Sequence, residues 1–399
     1  MKYRIHNSNQ SLGIERRIVF CVDSVCYPGG IGRYVIVRAN ALSQLEGYDV
    51  WVAVSDNNRP PVCQISEAVH LVDLHVNYYE DDWKGLFYVM KGFLFKRRIH
   101  RKRLGALLGT IVPDIVISVG TSEKLFIPRF KRTLPAASFI REIHFTSDYR
   151  QLDADGWFAS FSARIAAFVD YRLCIRGYDR IVVLTKEDKQ RNWSDYSGVE
   201  VIPNPVRLKP ATASDLKSKR ALAVGRFTRQ KDFPSLIRAW SRVASRHSDW
   251  KLDIYGSGGE YQAISAEIEK NNLSGVVSLK GETKDIEKEM LSASMLIMTS
   301  LYEGFGNVII EAMSCGLPVV SYACPCGPKD IITDGVDGFL VPPKDEETLA
   351  ERICRLIEDE TLRCRLGGAA LERSKDFGIE RVLKMWTDLF TTLQNTAQR

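Results

Sequence analysis

The sequence predicts an α/β protein with two domains, each built on a parallel β-sheet. Short apolar runs of strand length alternate with helical stretches along most of the 399 residues, a pattern typical of parallel sheets covered by helices. A stiff stretch with two prolines interrupts the alternation near residue 206, and the alternation then begins again. We therefore expect a first domain over 1–206, a second over 207–380 and a C-terminal helix over 381–399.

The composition is that of an ordinary globular protein, with 45% hydrophobic residues. No apolar run approaches the ~18 residues of a membrane span, and the polar N-terminus lacks the apolar core of a signal peptide. The nine cysteines are scattered without a Cys-x-x-Cys pair, which favours reduced thiols. We expect a cytoplasmic protein.

The first domain begins with a predicted strand over 16–22, a loop containing Gly29 and Gly30, and a helix over 33–45. A strand, a glycine-rich loop and a helix in this order are typical of phosphate or ligand binding. The loop lacks the full dinucleotide fingerprint, and a glycine-rich turn is more often only a turn. Further strands are predicted over 49–54, 69–74, 114–119, 136–140, 180–184 and 200–202.

The whole formal net charge of +6 lies in the first half of the chain. Its densest run, Lys91–Arg103, mixes basic residues with Phe93, Leu94 and Phe95. Such a helix is typical of docking on anionic lipid, although a solvated helix face is the simpler alternative. No nucleic-acid recognition motif accompanies the run. We expect a peripheral contact with the inner face of a membrane and no nucleic-acid partner.

The second domain begins with a predicted strand over 220–224, which leads into Arg226 and Lys231. An Arg and a Lys at one strand end can clamp a diphosphate, although two surface cations are the simpler alternative. Two more predicted strands, 251–255 and 276–279, end near Gly256 and Gly281.

A third apolar strand, Met295–Met298, is followed by the loop Gly304-Phe305-Gly306. Asn307 is a suitable N-cap for a predicted helix over 308–314. The helix N-terminus beside Gly306 and Asn307 would attract an anion.

Two carboxylates interrupt this apolar stretch, Glu303 at the strand tip and Glu311 inside the helix. An unpaired buried charge is costly, and the helical neighbours of Glu311 offer no partner. Ligand hydroxyls would satisfy it, which indicates a sugar, a ribose and a phosphate at one strand-to-helix junction. The alternative is an acidic first turn that only favours the helix dipole.

These segments resemble family 4 glycosyltransferases, the retaining, group 1 enzymes of the GT-B fold. The resemblance rests on Glu303-Gly-Phe-Gly, Glu311-Ala-Met and Gly316-Leu-Pro-Val-Val, and on Gly225-Arg226 followed by Lys231. It covers essentially the whole second half, and in the first half it is architectural. It implies two Rossmann-like domains facing across a cleft, with the last helix crossing back to the first domain.

The resemblance implies a nucleotide-sugar donor, most simply UDP-linked, and a glycan or lipid-linked saccharide acceptor in cell-envelope polysaccharide biosynthesis. It implies no cofactor and no metal. Glycosyltransferases of the other major fold hold a divalent ion with an Asp-x-Asp triplet at a strand end, but the triplet Asp153-Ala-Asp155 is predicted to lie in a loop. The implied catalytic residues are Glu303, His144, Lys231 and Arg226. The implied binding residues are Gly29, Gly30, Arg226, Lys231, Gly256, Gly281, Gly304, Phe305, Gly306, Asn307 and Glu311.

Three alternatives stay open at this point. A sugar phosphorylase or a sugar-nucleotide epimerase would use the same fold, and a non-catalytic subunit could bind a nucleotide sugar without turning it over. An NAD enzyme is disfavoured by the spacing of the glycine loop.

Overall fold

The computed structural model describes residues 16–26, 30–57, 59–61, 63–78, 86–146 and 175–397. The chain divides into two compact units. The first consists of Met1–Glu142, Arg172–Ile181 and Trp386–Arg399, and the second of Ile143–Tyr171 and Val182–Met385. The described residues form two parallel sheets, so the predicted fold class is confirmed. The units interleave along the chain, whereas the predicted bounds at 206 and 380 are continuous.

The first sheet has seven strands within the described residues, in the order β3-β2-β1-β4-β5-β6-β7. These strands are β1 (Arg16–Val22), β2 (Tyr48–Val54), β3 (Val69–Asp73), β4 (Ile115–Ser118), β5 (Ser138–Ile143), β6 (Arg180–Val183) and β7 (Val199–Val201). The chain runs outward from β1 to β3 and then returns to β4 on the other side of β1. The loops after β1 and β4 therefore diverge, and ligands bind in the crevice that such a reversal opens at the carboxyl edge of a sheet.

Two helices of the first unit are α1 (Gly30–Leu42) and α2 (Leu86–Ile111). On α2, Leu104, Leu107, Leu108 and Ile111 recur at helical spacing and are buried with strand residues such as Phe139. This spacing gives α2 one apolar stripe that faces the core.

The second sheet has six strands in the order β10-β9-β8-β11-β12-β13. They are β8 (Arg220–Val224), β9 (Lys251–Tyr255), β10 (Val277–Gly281), β11 (Met295–Met298), β12 (Val319–Tyr322) and β13 (Gly338–Val341). The four residues of β11 are all buried and apolar, as expected for a parallel strand covered on both faces. The order reverses between β8 and β11, so this sheet also has a crevice of the ligand-binding kind.

The helices of the second unit cover both faces of its sheet. They are α3 (Lys186–Asn192), α4 (Phe233–Arg246), α5 (Tyr261–Lys270), α6 (Ile286–Leu291), α7 (Asn307–Ser314), α8 (Pro328–Ile331), α9 (Glu346–Glu358) and α10 (Glu360–Ser374). Met295 and Ile297 lie in one apolar cluster with Trp240, whereas Leu296 and Met298 lie in another with Ile310. Alternate residues of one strand thus enter opposite cores.

The last helix, α11 (Ile379–Ala397), carries the chain from the second unit into the first. Within the first unit, the Arg38 guanidinium lies 4.8 Å from the ring centroid of Trp386. Its Nη2 donates to Glu142 Oε2 at 2.7 Å, and both side chains are buried. The return of the last helix to the first domain is therefore confirmed.

Even α2, which spans 26 residues, is too polar to cross a bilayer. The same holds for every helix in the described part of the chain, each of which is too short or too polar.

Candidate functional site

The two motif segments of the second half meet where the strand order of the second sheet reverses. The segment after β8 contains Gly225, Arg226 and Lys231, and the segment after β11 contains Glu303 to Asn307. Because β8 and β11 are hydrogen-bonded neighbours, these segments leave the same edge of the sheet side by side. The sequence spacing alone does not reveal this adjacency.

A buried ion pair joins the two segments. Lys231 Nζ lies 2.5 Å from Glu303 Oε1, and only 14% and 10% of the two side chains are exposed. The carbon stem of Lys231 crosses Gly225, since a Cβ at that glycine would lie 3.2 Å from three of its carbons. The pair places one positive and one negative charge at the crevice, where burial strengthens their effect on a ligand.

Backbone contacts fix the geometry of this pair. Lys231 ends a short 3₁₀ helix, Arg229–Lys231, and its carbonyl accepts from the Thr299 hydroxyl at 3.0 Å. The Gln230 carbonyl accepts from Leu301 N at 2.8 Å, and the Gln230 side chain donates to Tyr302 O at 2.8 Å. These hydrogen bonds attach the loop after β8 to the end of β11.

Arg226 does not join the pair. Its side chain is exposed, and its Nη2 lies 3.4 Å from Gln230 Oε1. The Arg226–Lys231 clamp that the sequence indicates is therefore not closed in this structure, although Arg226 lies on the same loop.

Glu311 has a protein partner that sequence reasoning missed. Arg207 Nε donates to Glu311 Oε1 at 3.0 Å, and 12% of the Glu311 side chain is exposed. The helical neighbours of Glu311 indeed offer no cation, but Arg207 comes from a segment about a hundred residues earlier. A ligand is therefore not needed to satisfy this carboxylate.

The start of α7 differs slightly from the prediction. Gly306, with a φ of 95°, is the N-cap, and Asn307 is the first helical residue rather than the cap. The left-handed conformation explains the difference, because it favours glycine. Asn307 Oδ1 instead accepts from the side chain of Asn204 at 3.0 Å, and Asn204 is buried. The start of a helix is a place where backbone N–H groups can bind an anion.

The backbone of His144 lies against Gly304, in the loop that contains Glu303. A Cβ on Gly304 would lie 2.0 Å from the His144 carbonyl oxygen, so a side chain is excluded there. The predicted strand before His144 ends at residue 140, but β5 continues to Ile143 and His144 follows it directly. Both residues belong to the second unit, and the close approach places His144 beside the Glu303 loop.

The other predicted binding residues of the second unit divide into two groups. Gly256 and Gly281 lie at the carboxyl ends of β9 and β10, and Gly256 N donates to Gly281 O at 2.8 Å. A Cβ on Gly256 would lie 1.9 Å from Gly225 O, which makes the backbone approach possible only for glycine. Phe305 is different: it is 3% exposed and packs edge-to-face on Phe377, so its side chain is part of the core.

Three predicted positions lie in parts of the chain that are not described. Gly29, Asp153 and Asp155 lie outside the described residues. Gly30 is described; it is exposed and begins α1.

The loop after β12 also supports Glu303, a role that sequence reasoning missed. The backbone N–H of Glu303 donates to Pro325 O at 3.1 Å. Burial, followed by the Glu303 carboxylate, raises the pKa of the Cys324 thiol well above its usual value, so this neighbour stays neutral. The Cys326 backbone N–H donates to Glu187 Oε2 at 2.9 Å. The Cys-Pro-Cys triplet thus positions the acid loop, a role that its spacing does not reveal.

The first unit carries a carboxyl cluster at its own strand-order reversal, between β1 and β4. Asp23 follows β1, and Glu123 lies in the loop after β4. A Cβ on Gly120 would lie 2.5 Å from Glu123 Oε2 and 2.8 Å from Asp23 Oδ1, so both acids converge on this glycine. Burial and then Asp23 raise the pKa of Glu123 to about 7, and Arg141 opposes the shift. Sequence reasoning missed this cluster, because neither acid belongs to a motif.

Two parallel α/β units, each with a crevice at its strand-order reversal, define the fold class of GT-B glycosyltransferases. The chain superimposes on sucrose-phosphate synthase from Thermosynechococcus elongatus with a TM-score of 0.79 and 20% identity, covering 96% of this chain and 100% of the other. It also superimposes on a Staphylococcus aureus TarM variant in complex with fondaparinux, α-GlcNAc-glycerol and UDP. That match has a TM-score of 0.74 and 15% identity, and covers 94% of this chain and 99% of the other.

Sequence comparison points to the same class. Residues 207–373 match the family model of glycosyl transferases group 1. The chain is 27% identical over 382 residues to the amylovoran biosynthesis glycosyltransferase AmsD of Erwinia amylovora, which covers 94% of this chain and 99% of AmsD. The matched segment of this chain is therefore similar to group 1 glycosyltransferases, and it contains Lys231, Glu303 and Glu311.

Proposed function

We propose that the protein is a retaining glycosyltransferase that transfers a sugar from a nucleotide sugar, most simply a UDP-sugar, to a glycan or lipid-linked acceptor of the cell envelope. The observation that carries the proposal is the buried Lys231–Glu303 pair at the strand-order reversal of the second sheet, inside the segment that matches the group 1 family. The relatives add support, because AmsD is named as a glycosyltransferase of amylovoran biosynthesis and the TarM variant was solved with UDP.

In this proposal the departing nucleoside diphosphate lies against the start of α7. Lys231 and the backbone amides at Gly306 and Asn307 would stabilise the charge that develops on its phosphate oxygens. Such preorganised donors are commonly the largest catalytic contribution. Arg226 would swing from Gln230 to the diphosphate, and its exposed side chain leaves it free to do so.

The two acids would have different tasks. Glu303 would accept hydrogen bonds from hydroxyls of the transferred sugar, with Lys231 holding its carboxylate in place. Glu311 would accept from the ribose hydroxyls, with Arg207 orienting it. His144, which follows β5 directly, would support the sugar from the other side of the Glu303 loop. With the phosphate charge met by Lys231, Arg226 and backbone amides, no metal and no cofactor would be required.

The acceptor would reach the enzyme at a membrane surface, where α2 has an exposed face of the right chemistry. Phe93, Leu94 and Phe95 are 44%, 60% and 65% exposed. One turn further, Arg98, Arg101 and Lys102 are exposed. Apolar side chains beside cations fit the boundary of an anionic bilayer, and we infer peripheral attachment there on the cytoplasmic side.

Nucleotide binding is tested first. Isothermal titration of the full chain with UDP, GDP and ADP should give a specific signal for one nucleoside diphosphate, with UDP expected. The same titration with Lys231→Met should show weaker binding, whereas Lys219→Met, which removes an exposed ion pair with Asp249, should bind as the wild type does. Binding of NAD alone would overturn the proposed donor class.

Membrane attachment is tested by co-sedimentation with vesicles of phosphatidylglycerol and phosphatidylcholine. Binding should increase with the anionic fraction, fall with salt, and weaken about tenfold or more in Leu94→Ser/Phe95→Ser, because ~1 kcal/mol or more is lost per buried apolar side chain. Val336→Ser, which removes an exposed apolar residue of the second unit, is the matched control. Binding that ignores both lipid charge and salt would exclude the docking surface.

A further inference from the structure

Three metal-ligating side chains converge in the second unit at a place that sugar transfer does not use. His247 caps the C-terminus of α4, and Cys354 and Glu358 lie one turn apart on α9. One ligand atom of each, an imidazole nitrogen, the thiol sulfur and a carboxylate oxygen, lies within 4.8 Å of the other two. In the described part of the chain this is the one such trio of His, Cys, Asp or Glu.

The trio is remote from the Glu303 loop. Helix α4 starts after the carboxyl end of β8 and runs back to His247, four residues before β9 begins. His247 therefore lies at the amino edge of the second sheet, whereas Glu303 and Lys231 lie at its carboxyl edge. A ligand at the trio would act on the stability of the unit and not on the transferred sugar.

The electrostatics of this place favour a cation. Helices α4 and α9 both end here, and the C-terminal ends of helices carry partial negative charge. The neighbouring N-terminus of α10 is capped by Asp359, whose carboxylate accepts from Leu362 N at 2.8 Å. Two nitrogen atoms already lie against one oxygen: Arg246 Nη2 and His247 Nε2 lie 2.7 and 2.9 Å from Glu358 Oε1.

The three donor atoms are of the types that Zn²⁺ takes. Cys354 is buried, with 2% exposure, so its sulfur is shielded from solvent and fixed by the core around it. Zinc bonds of about 2.0–2.3 Å require the three ligand atoms to close to roughly 3.5 Å of one another. Side-chain rotation of His247 and Glu358 would bring their ligand atoms to this separation, because both residues lie at the surface ends of their helices. The exposed Arg246–Glu358 pair would open with little energetic consequence.

We propose that His247, Cys354 and Glu358 bind one Zn²⁺ ion as a structural site that fastens the C-terminus of α4 to α9. On binding, the metal takes the thiol sulfur as thiolate and the thiol proton passes to solvent. The imidazole contributes a nitrogen lone pair, the carboxylate an oxygen, and water fills the fourth position. These two helices pack on the same face of the second sheet, where their side chains share the apolar cluster that contains Trp240. The ion would therefore hold the two helices together over that cluster.

Cobalt titration tests the site directly. The full-length protein, freed of metal with EDTA, is titrated with CoCl₂, which reports thiolate ligation by a sulfur-to-cobalt charge-transfer band in the near ultraviolet. We expect one equivalent to give this band together with the visible bands of tetrahedral cobalt, and ZnCl₂ to abolish both. Zinc should also raise the melting temperature, since a ligand of the folded state stabilises it.

Three variants decide the outcome. Cys354→Ser should lose the charge-transfer band, and His247→Gln and Glu358→Gln should each weaken zinc binding more than tenfold. Cys364→Ser, which changes an exposed cysteine on α10, should behave as the wild type does. Because Cys354 is buried, His247→Gln at the helix end serves as the variant that leaves the core intact. A charge-transfer band that persists in Cys354→Ser would overturn the assignment, and so would zinc binding that is equal in all four variants.

Discussion

The carboxyl edges of the two sheets are alike in topology and opposite in electrostatics. In the second unit each acid has a cation at hydrogen-bond distance, Lys231 for Glu303 at 2.5 Å and Arg207 for Glu311 at 3.0 Å. In the first unit Glu123 is 1% exposed, and a guanidinium nitrogen of Arg141 lies 3.9 Å from its carboxylate, beyond hydrogen-bond distance. That nitrogen also donates to the Ser118 carbonyl and hydroxyl and to the Gly120 carbonyl.

Strand order therefore decides where a site forms, whereas the loops decide what the site can bind. Both sheets reverse their strand order once near the middle and so open a crevice there. The second crevice offers balanced charge beside a helix N-terminus, which suits a phosphate and sugar hydroxyls. The first offers an acid whose pKa of about 7 leaves it partly protonated at neutral pH. Judged by the residues that the structure describes, the second crevice is the one suited to an anionic leaving group.

The largest expected effect comes from removing the cation of the second crevice. Lys231→Met should lower turnover about 10²–10³-fold, the usual cost of one preorganised donor. It should also destabilise the protein by about 3–5 kcal/mol, because a buried carboxylate loses its partner. Turnover is measured by nucleotide release, and stability by urea unfolding.

The double variant Lys231→Met/Glu303→Gln separates the two roles of the pair. With the buried charge gone, most of the stability should return, whereas turnover should stay low. Recovery of both would mean that the pair is only structural, and the contrast between the two crevices would then lose its functional meaning.

The first crevice should instead make the stability of the protein depend on pH. Between pH 4.5 and 7 the folded protein retains a proton on Glu123 that the unfolded chain has released, so the free energy of unfolding falls as the pH rises through this window. At pH 8 the deficit reaches about 3 kcal/mol, from 1.36 kcal/mol for each pKa unit. Glu123→Gln should therefore be more stable than the wild type at pH 8, and the advantage should nearly vanish at pH 4.5.

Melting temperatures of the two proteins from pH 4.5 to 8 measure this difference. A constant gap across the range would show that Glu123 is not the titrating group. The Asp23→Asn variant sharpens the result, because removing the neighbouring negative charge should shift the window to lower pH.

Much of the second unit could be predicted from local sequence. The strand Met295–Met298 is apolar throughout, and Gly304-Phe305-Gly306 between two acids is a specific motif. Its neighbours along the chain define the loop and helix that follow, so the positions of Glu303 and Glu311 relative to β11 were predictable. The same local logic holds for Lys231 after β8.

What could not be predicted is pairing between distant segments. Arg207 directly follows the stiff two-proline stretch near residue 206 and belongs to no motif, and only the fold brings it to Glu311. The Asp23–Glu123 cluster depends on β1 and β4 being neighbours, which the order of elements along the chain does not state. The start of α7 was misplaced by one residue because Asn307 has the chemistry of a cap, whereas the backbone at Gly306 needs a glycine.

The smallest expected effect distinguishes the two acids of the second crevice. Glu311→Gln should weaken UDP binding about tenfold with turnover nearly unchanged, because one charged hydrogen-bond acceptor for the ribose is lost. Arg207→Gln should weaken it only about threefold, since Arg207 orients Glu311 and does not touch the nucleotide in the proposed arrangement. Calorimetry with UDP and initial rates at saturating donor measure the two quantities separately. If Glu311→Gln instead lowers turnover while UDP binds as before, Glu311 serves the transferred sugar, and the division of roles between the two acids must be reversed.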